Sequence, residues 1–143
     1  MQVTSYHPDM QRKSFGDMAC PIARSLEHVG EWWSMLILRD AFAGVVRFDE
    51  FQTNLGIAPN MLARRLAALV EGGLLERRRY QERPPRDEYV LTARGRDFKP
   101  VLAALVAFGR RHYPAPGRKT HPRYAGLFTE PALDGSDSRK ARP

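Results

Sequence analysis

A chain of 143 residues that is 43% hydrophobic and 27% charged fits one globular domain with a single core, and its charge of +7 is unevenly spread. Residues 1–60 hold five Lys/Arg against seven Asp/Glu and residues 61–143 hold eighteen against nine, which points to a polyanionic partner, nucleic acid first, or to a solvated charged surface. No apolar run approaches the roughly 20 residues of a membrane span, and no secretory segment follows the N-terminus, so a cytoplasmic protein without a membrane partner is expected.

Residues 1–18 are polar, carry Pro8 and Gly16, and show no sustained periodicity, so a flexible arm is expected there. Cys20 is the one cysteine, which excludes an intrachain disulfide and suits a reducing compartment. Pro21 then occupies a first helical position, Ile22, Leu26 and Val29 form the predicted buried stripe, and Gly30 ends the helix. A second helix is expected over about Glu31 to Phe42, with Trp33, Leu36, Ile37 and Leu38 among its apolar residues and Gly44 as its stop. Val45 and Val46 are β-branched and suit a small strand that pairs later in the chain.

From Arg47 to Leu69 the pattern predicts two short helices joined by a tight turn. Phe48, Phe51 and Leu55 share one helical face, Gly56 supplies a helix stop, and Pro59 starts the next helix. In that helix Leu62, Leu66, Leu69 and Val70 face inward, whereas Asn60, Met61, Arg64 and Ala68 face outward with Arg65 on the flank. This is a helix-turn-helix pattern, although any helical hairpin with a solvated basic face shares it. Leu74–Tyr80 and Glu88–Thr92 then read as strands around a loop, Gln81 to Asp87, that carries Arg83 and Arg86. A hairpin directly after a helix-turn-helix is the wing of a winged helix, and its basic loop suits phosphates or the minor groove. Arg77, Arg78 and Arg79 alternate in direction, so not all three can face one partner.

A further helix is predicted from an N-cap at Thr92 to about Tyr113, kinked or divided at Pro100. Its Val101, Leu102, Leu105, Val106 and Phe108 form an apolar surface wider than one small core requires, so this helix and the first suit a homodimer interface. From Pro114 onward the chain is rich in Pro, Gly and basic residues, and a flexible tail is expected. The expected organisation is an arm over 1–18, a winged helix-turn-helix domain over 19–113 and a tail over 114–143. The fold class is mainly α with a small β-wing.

Several stretches resemble the HxlR family of winged-helix transcription regulators, relatives of the MarR type. They are Cys20-Pro21, Gly30-Glu31-Trp32-Trp33, Leu36-Ile37-Leu38-Arg39, Arg47-Phe48, Leu62-Ala63-Arg64-Arg65-Leu66, Gly73-Leu74 and Pro84-Pro85-Arg86-Asp87-Glu88-Tyr89-Val90-Leu91-Thr92. The resemblance covers about residues 18–113 in order and spacing. It implies a homodimer formed by the first and last helices and acting on double-stranded DNA, with the second helix of the pair in the major groove. By that resemblance Pro59, Asn60, Met61, Arg64 and Arg65 belong to the recognition helix, and Arg83 and Arg86 to the wing. Asn60 suits adenine and Arg64 suits guanine, each through two hydrogen bonds. Arg65 is open between phosphate binding and a structural ion pair, and Arg86 between DNA contact and a carboxylate. Two positions depart from the family pattern: Trp32 where Lys or Arg is common, and Ala58 where Ser commonly caps the recognition helix.

Some relatives respond to oxidants or electrophiles through the cysteine matching Cys20, which here precedes a helix first turn with Arg24 one turn on. The alternative is a buried structural thiol. Trp32, Trp33 and Phe42 are candidates for an aromatic effector pocket, or plain core. Catalysis finds no support: no nucleophile elbow, zinc-protease motif, P-loop or dinucleotide fingerprint is present, and the four histidines are scattered. No metal or cofactor is expected. The expectation is a non-enzymatic regulator, a repressor by preference, on a pseudo-palindromic operator; the alternative is an interaction module whose basic face binds an acidic protein.

Overall fold

The computed structural model describes Ser14 and residues 16–128, so most of the predicted arm and the tail after Phe128 lie outside the described residues. Its first helix, α1 (Pro21–Val29), begins with Pro21 after an extended Cys20, as its sequence predicts. The predicted buried stripe does not hold. Only Val29 is buried, whereas Ile22 is 72% exposed and Leu26 39%, because α1 packs chiefly against the next helix and the helix Pro59–Glu71, which leave its outer side uncovered. In α2 (Trp32–Phe42) the Glu31 carboxylate caps the first turn by accepting from the Ser34 N–H at 3.1 Å.

The next two helices, α3 (Phe48–Leu55) and α4 (Pro59–Glu71), form the expected helix-turn-helix. Gly56 makes the turn at φ +65°, a left-handed conformation that a side chain would strain, and its N–H returns to the Gln52 carbonyl. Phe51 of α3, Ile37 and Leu38 of α2, and Leu62, Leu66 and Leu69 of α4 are all fully buried in one cluster. Each such side chain contributes roughly 1.5–3 kcal/mol, so the inward leucines fix which face α4 leaves outside.

The wing is an antiparallel hairpin of β1 (Leu75–Gln81) and β2 (Arg86–Leu91), in register from Leu75 opposite Leu91 to Arg79 opposite Asp87, with an irregularity before Gln81. It is longer than its sequence suggests, since Gln81, Arg86 and Asp87 join the strands. The Gln81 side-chain amide donates to the carbonyls of Arg83 and Pro84 and closes a tighter turn. The expected pairing of Val45–Val46 reduces to one bridge, Arg47 with Glu88, beside a 2.7 Å bond from the Tyr89 N–H to the Val46 carbonyl.

Thr92 caps the following helix from its side chain, accepting from the Gly95 N–H and donating to the Gly73 carbonyl at 2.6 Å. The helix is divided rather than kinked: α5 (Ala93–Arg96) and α6 (Lys99–His112) are separate, with Pro100 in the first turn of α6. The flexible tail expected from Pro114 is corrected over residues 122–128 alone, where the chain packs. Pro122–Tyr124 forms a 3-10 turn, Phe128 is buried edge-on to Phe42 at 5.9 Å, and the Tyr124 hydroxyl reaches the buried Asp40. Two aromatic side chains with an apolar wall and a carboxylate acceptor outweigh the local Pro/Gly composition.

Gly95 joins the wing to this helical end. A Cβ there would strike the Leu74 carbonyl oxygen and crowd Leu91. Gly95→Ala should therefore destabilise the fold by about 1–3 kcal/mol, read as a lower urea midpoint with an unchanged slope.

Candidate nucleic-acid interface

Asn60 and Arg64 lie on the exposed face of α4, and neither side chain has a partner among the described residues. Pro59 is exposed at the start of the helix, where Ala58 provides no side-chain cap. The first-turn N–H groups of Asn60 and Met61 are thus left open to an anion. Of the other two recognition-helix candidates, Met61 departs from its outward reading, whereas Arg65 takes one of the two placements left open for it on the flank. Met61 is half-buried and packs against the core cluster. Arg65 is half-buried with its Nε 3.4 Å from the Glu31 carboxylate, so the structural ion pair is the role seen. That Nε makes no hydrogen bond, so the pair is one of charge proximity that ties α4 to the start of α2.

The wing separates its arginines by direction, as strand alternation requires. Arg77 and Arg79 share a face and converge on Asp87, at 2.7 and 3.0 Å. Arg78 points the other way and pairs with Glu76 at 3.2 Å. The hydrogen bond from Arg79, then that from Arg77, holds the Asp87 carboxyl below the usual carboxylate range. Asp87 in turn raises the Arg77 guanidinium. Arg83 and Arg86 remain exposed at the turn with no side-chain partner among the described residues, so the carboxylate contact considered for Arg86 is not the one formed.

Two features escaped the sequence reading. Arg47, at the cap of α3, stacks over the Tyr80 ring of β1 at 4.8 Å and links the helix pair to the wing. Asp40, with no solvent exposure, accepts from Arg39 Nε at 3.1 Å, Asn54 Nδ2 at 2.7 Å and the Tyr124 hydroxyl at 2.6 Å. The available signal was a carboxylate three residues after the buried Ile37, on an inward face where an anion must find donors. Burial, then the hydrogen bond to Asp40, raises the Tyr124 pKa, so its hydroxyl stays a donor throughout the neutral range.

The thiol of Cys20 is exposed on the single chain. Trp32 and Trp33 meet edge-on at 6.4 Å and border an open cleft of about 840 Å³. Phe42 is not part of that cleft, because its ring is taken up by Phe128.

Because the folded pKa of Asp87 lies below the unfolded one, its contribution is present above about pH 4 and lost as pH falls through the folded value. Hydrogen exchange at the β1 and β2 amides should therefore accelerate on acidification below about pH 4, and Asp87→Asn should remove that pH step. Equal protection of the wild-type hairpin at pH 3 and 7, each normalised for intrinsic exchange, would contradict the assigned role.

The profile of the HxlR-like helix-turn-helix family matches residues 28–116. An uncharacterized HTH-type transcriptional regulator of Mycobacterium tuberculosis is 46% identical over 95 residues, which cover 66% of this chain and 60% of the relative. The chain thus matches less than two thirds of that relative's length. Among solved structures, a protein assigned as a transcription factor of Pseudomonas aeruginosa is 64% identical with a TM-score of 0.55, over 71% of this chain and 69% of that one. The redox regulator HypR in its oxidized form is 28% identical with a TM-score of 0.60, over 71% of this chain and all of HypR. With this profile spanning the helix pair and wing, the chain belongs to the HxlR-like helix-turn-helix family.

Proposed function

We propose that this protein is a non-enzymatic transcriptional regulator that binds double-stranded DNA as a homodimer. The observation that carries the reading is a helix-turn-helix whose second helix leaves Asn60 and Arg64 exposed and unpartnered, followed by a wing that leaves Arg83 and Arg86 in the same condition. In this reading α4 enters the major groove. Asn60 bonds an adenine edge, Arg64 bonds a guanine edge, and the uncapped first turn of α4 receives a phosphate. Arg83 and Arg86 hold backbone phosphate or reach the minor groove beside it.

Exposed apolar side chains support dimerisation through α1 and α6. Ile22 and Leu26 on α1, with Val101, Leu105 and Phe108 on α6, are each at least 39% exposed. A two-fold dimer reads a pseudo-palindromic operator with half-sites about one helical turn apart, and its occupancy of a promoter represses. The working place is the cytoplasm. Among the described residues no helix is long and apolar enough to cross a membrane. Cys20 lies at the start of α1, so oxidation there would act on the dimer, and the likeness to a redox regulator supports such a response. The cleft bordered by Trp32 and Trp33 is the place for a small effector.

Fluorescence anisotropy on DNA from upstream of the protein's own gene, against scrambled DNA and over several salt concentrations, tests the reading. Preference for the native segment is the expected result. Equal, steeply salt-dependent binding to both would leave only a basic surface suited to any acidic partner. Arg64→Ala should cost about 1–3 kcal/mol on the specific site and relax base preference there, whereas Arg83→Ala should weaken all sequences alike. Equal losses on both DNAs for Arg64→Ala would refute the assignment. Phe108→Glu should convert the dimer to a monomer in light scattering, and a dimer that survived this change would place the interface elsewhere.

A further inference from the structure

The cleft beside α2 has a third wall besides α2 and α6, made by the packed segment Pro122–Phe128. Its surface is chiefly apolar, with Trp33, Leu102, Val106 and Phe128 among the lining residues. Among the described residues its charged lining is Arg39 and Arg110, with no carboxylate. Arg39 is committed, with Nε and Nη2 on Asp40 and its guanidinium 4.2 Å over the Tyr124 ring. Arg110 is exposed and its guanidinium has no partner among the described residues. At about 840 Å³ the space lies within the usual range of small-molecule sites. An apolar slot whose described walls offer positive charge and none of the opposite sign suits a flat apolar body bearing one anionic group.

The third wall is also wired to the helix pair. Tyr124 lines the cleft with its ring, while its hydroxyl donates to Asp40 and accepts from Asn54 Nδ2 at 2.7 Å. Asn54 belongs to α3 and bonds the other Asp40 oxygen. A body seated against the Tyr124 ring therefore presses on a hydrogen-bonded chain that ends in the first helix of the helix-turn-helix. A coupling of this kind requires that the ligand bind the two arrangements of that chain unequally.

We infer that this cleft binds a planar aromatic carboxylate, with Arg110 receiving the carboxylate, and that occupancy is passed to α3 through Tyr124, Asp40 and Asn54. The output rests on the DNA-binding reading above; the binding itself does not. Calorimetric titration of the full-length protein with 2-naphthoate, and with uncharged 2-naphthamide as the shape-matched control, tests the site. One saturable 2-naphthoate site per chain is expected, weakened about tenfold or more by Arg110→Gln, with the amide weak and indifferent to that change. No saturable heat, equal binding of both probes, or indifference of 2-naphthoate to Arg110→Gln would overturn it. A second copy of the chain filling the cleft would give the first of these results.

Tyr124→Phe keeps the ring that lines the cleft and removes the hydroxyl, so its own 2-naphthoate affinity is measured first and its responses are compared with those of wild type at saturation. In wild type 2-naphthoate should change both DNA affinity and hydrogen exchange of the α3 amides, and in Tyr124→Phe neither. The exchange readout keeps the two readings apart, because a protein that bound no DNA would still show it. An α3 response that persisted in Tyr124→Phe, or was missing in wild type, would overturn the route.

Discussion

The Asp40 carboxylate is wholly removed from water, and a buried anion is tolerable only where donors surround it. Its donors come from three parts of the chain: Arg39 on the same helix, Asn54 on α3 and Tyr124 in the C-terminal segment. Removing one donor from such a group leaves buried charge uncompensated, at a cost of about 3–5 kcal/mol where the charge is fully enclosed. The carboxylate thus fixes where α3 sits against α2 more narrowly than apolar contact alone would. Apolar packing tolerates small slides; a short hydrogen bond with a defined direction does not. Since α3 carries the turn into α4, the pose of the outward face of α4 inherits that restriction.

The arginines fall into two groups by what their neighbours supply. Arg65, Arg77, Arg78 and Arg79 each meet an internal carboxylate: the Arg65 contact joins α4 to the start of α2, those of Arg77 and Arg79 with Asp87 tie the hairpin strands together, and that of Arg78 with Glu76 lies within β1. Arg64, Arg83 and Arg86 have no such neighbour among the described residues. Exposed pairs of the first kind add little stability individually, typically below about 1 kcal/mol. Their larger effect is on the field, since they cancel charge at the base of the wing and leave the uncompensated part at the turn and on the outer face of α4.

The helices and hairpin were legible because their signals are local. Pro21, Gly56, Pro59 and Thr92 punctuate the chain where backbone geometry requires it, and the leucine spacing of α4 reports its buried face directly. Arg65 was legible only as a choice between two roles, since its partner Glu31 is distant in sequence. The burial of Ile22 and Leu26 was misread for a related reason: periodicity shows that a helix has an apolar face but not whether its own chain covers it. Phe42, Tyr124 and Phe128 were beyond reach. Their roles arise from contacts across more than eighty residues, and the sequence around Tyr124 and Phe128 has the composition of a loop.

The separation of 84 residues between Asp40 and Tyr124 has a consequence for the order in which the chain acquires its structure. A ribosome delivers α2, α3 and α4 well before Tyr124, so the helix pair can collapse on its leucines while Asp40 is still held only by Arg39 and Asn54. During that interval the carboxylate has one donor fewer and a more open path to water. This late contact closes one of the longest loops in the chain and lies next to a segment of mostly exposed residues, which places it among the first to open in the finished protein. Native-state breathing would therefore begin at the C-terminal segment and hydrate Asp40 before it disturbed the leucine core.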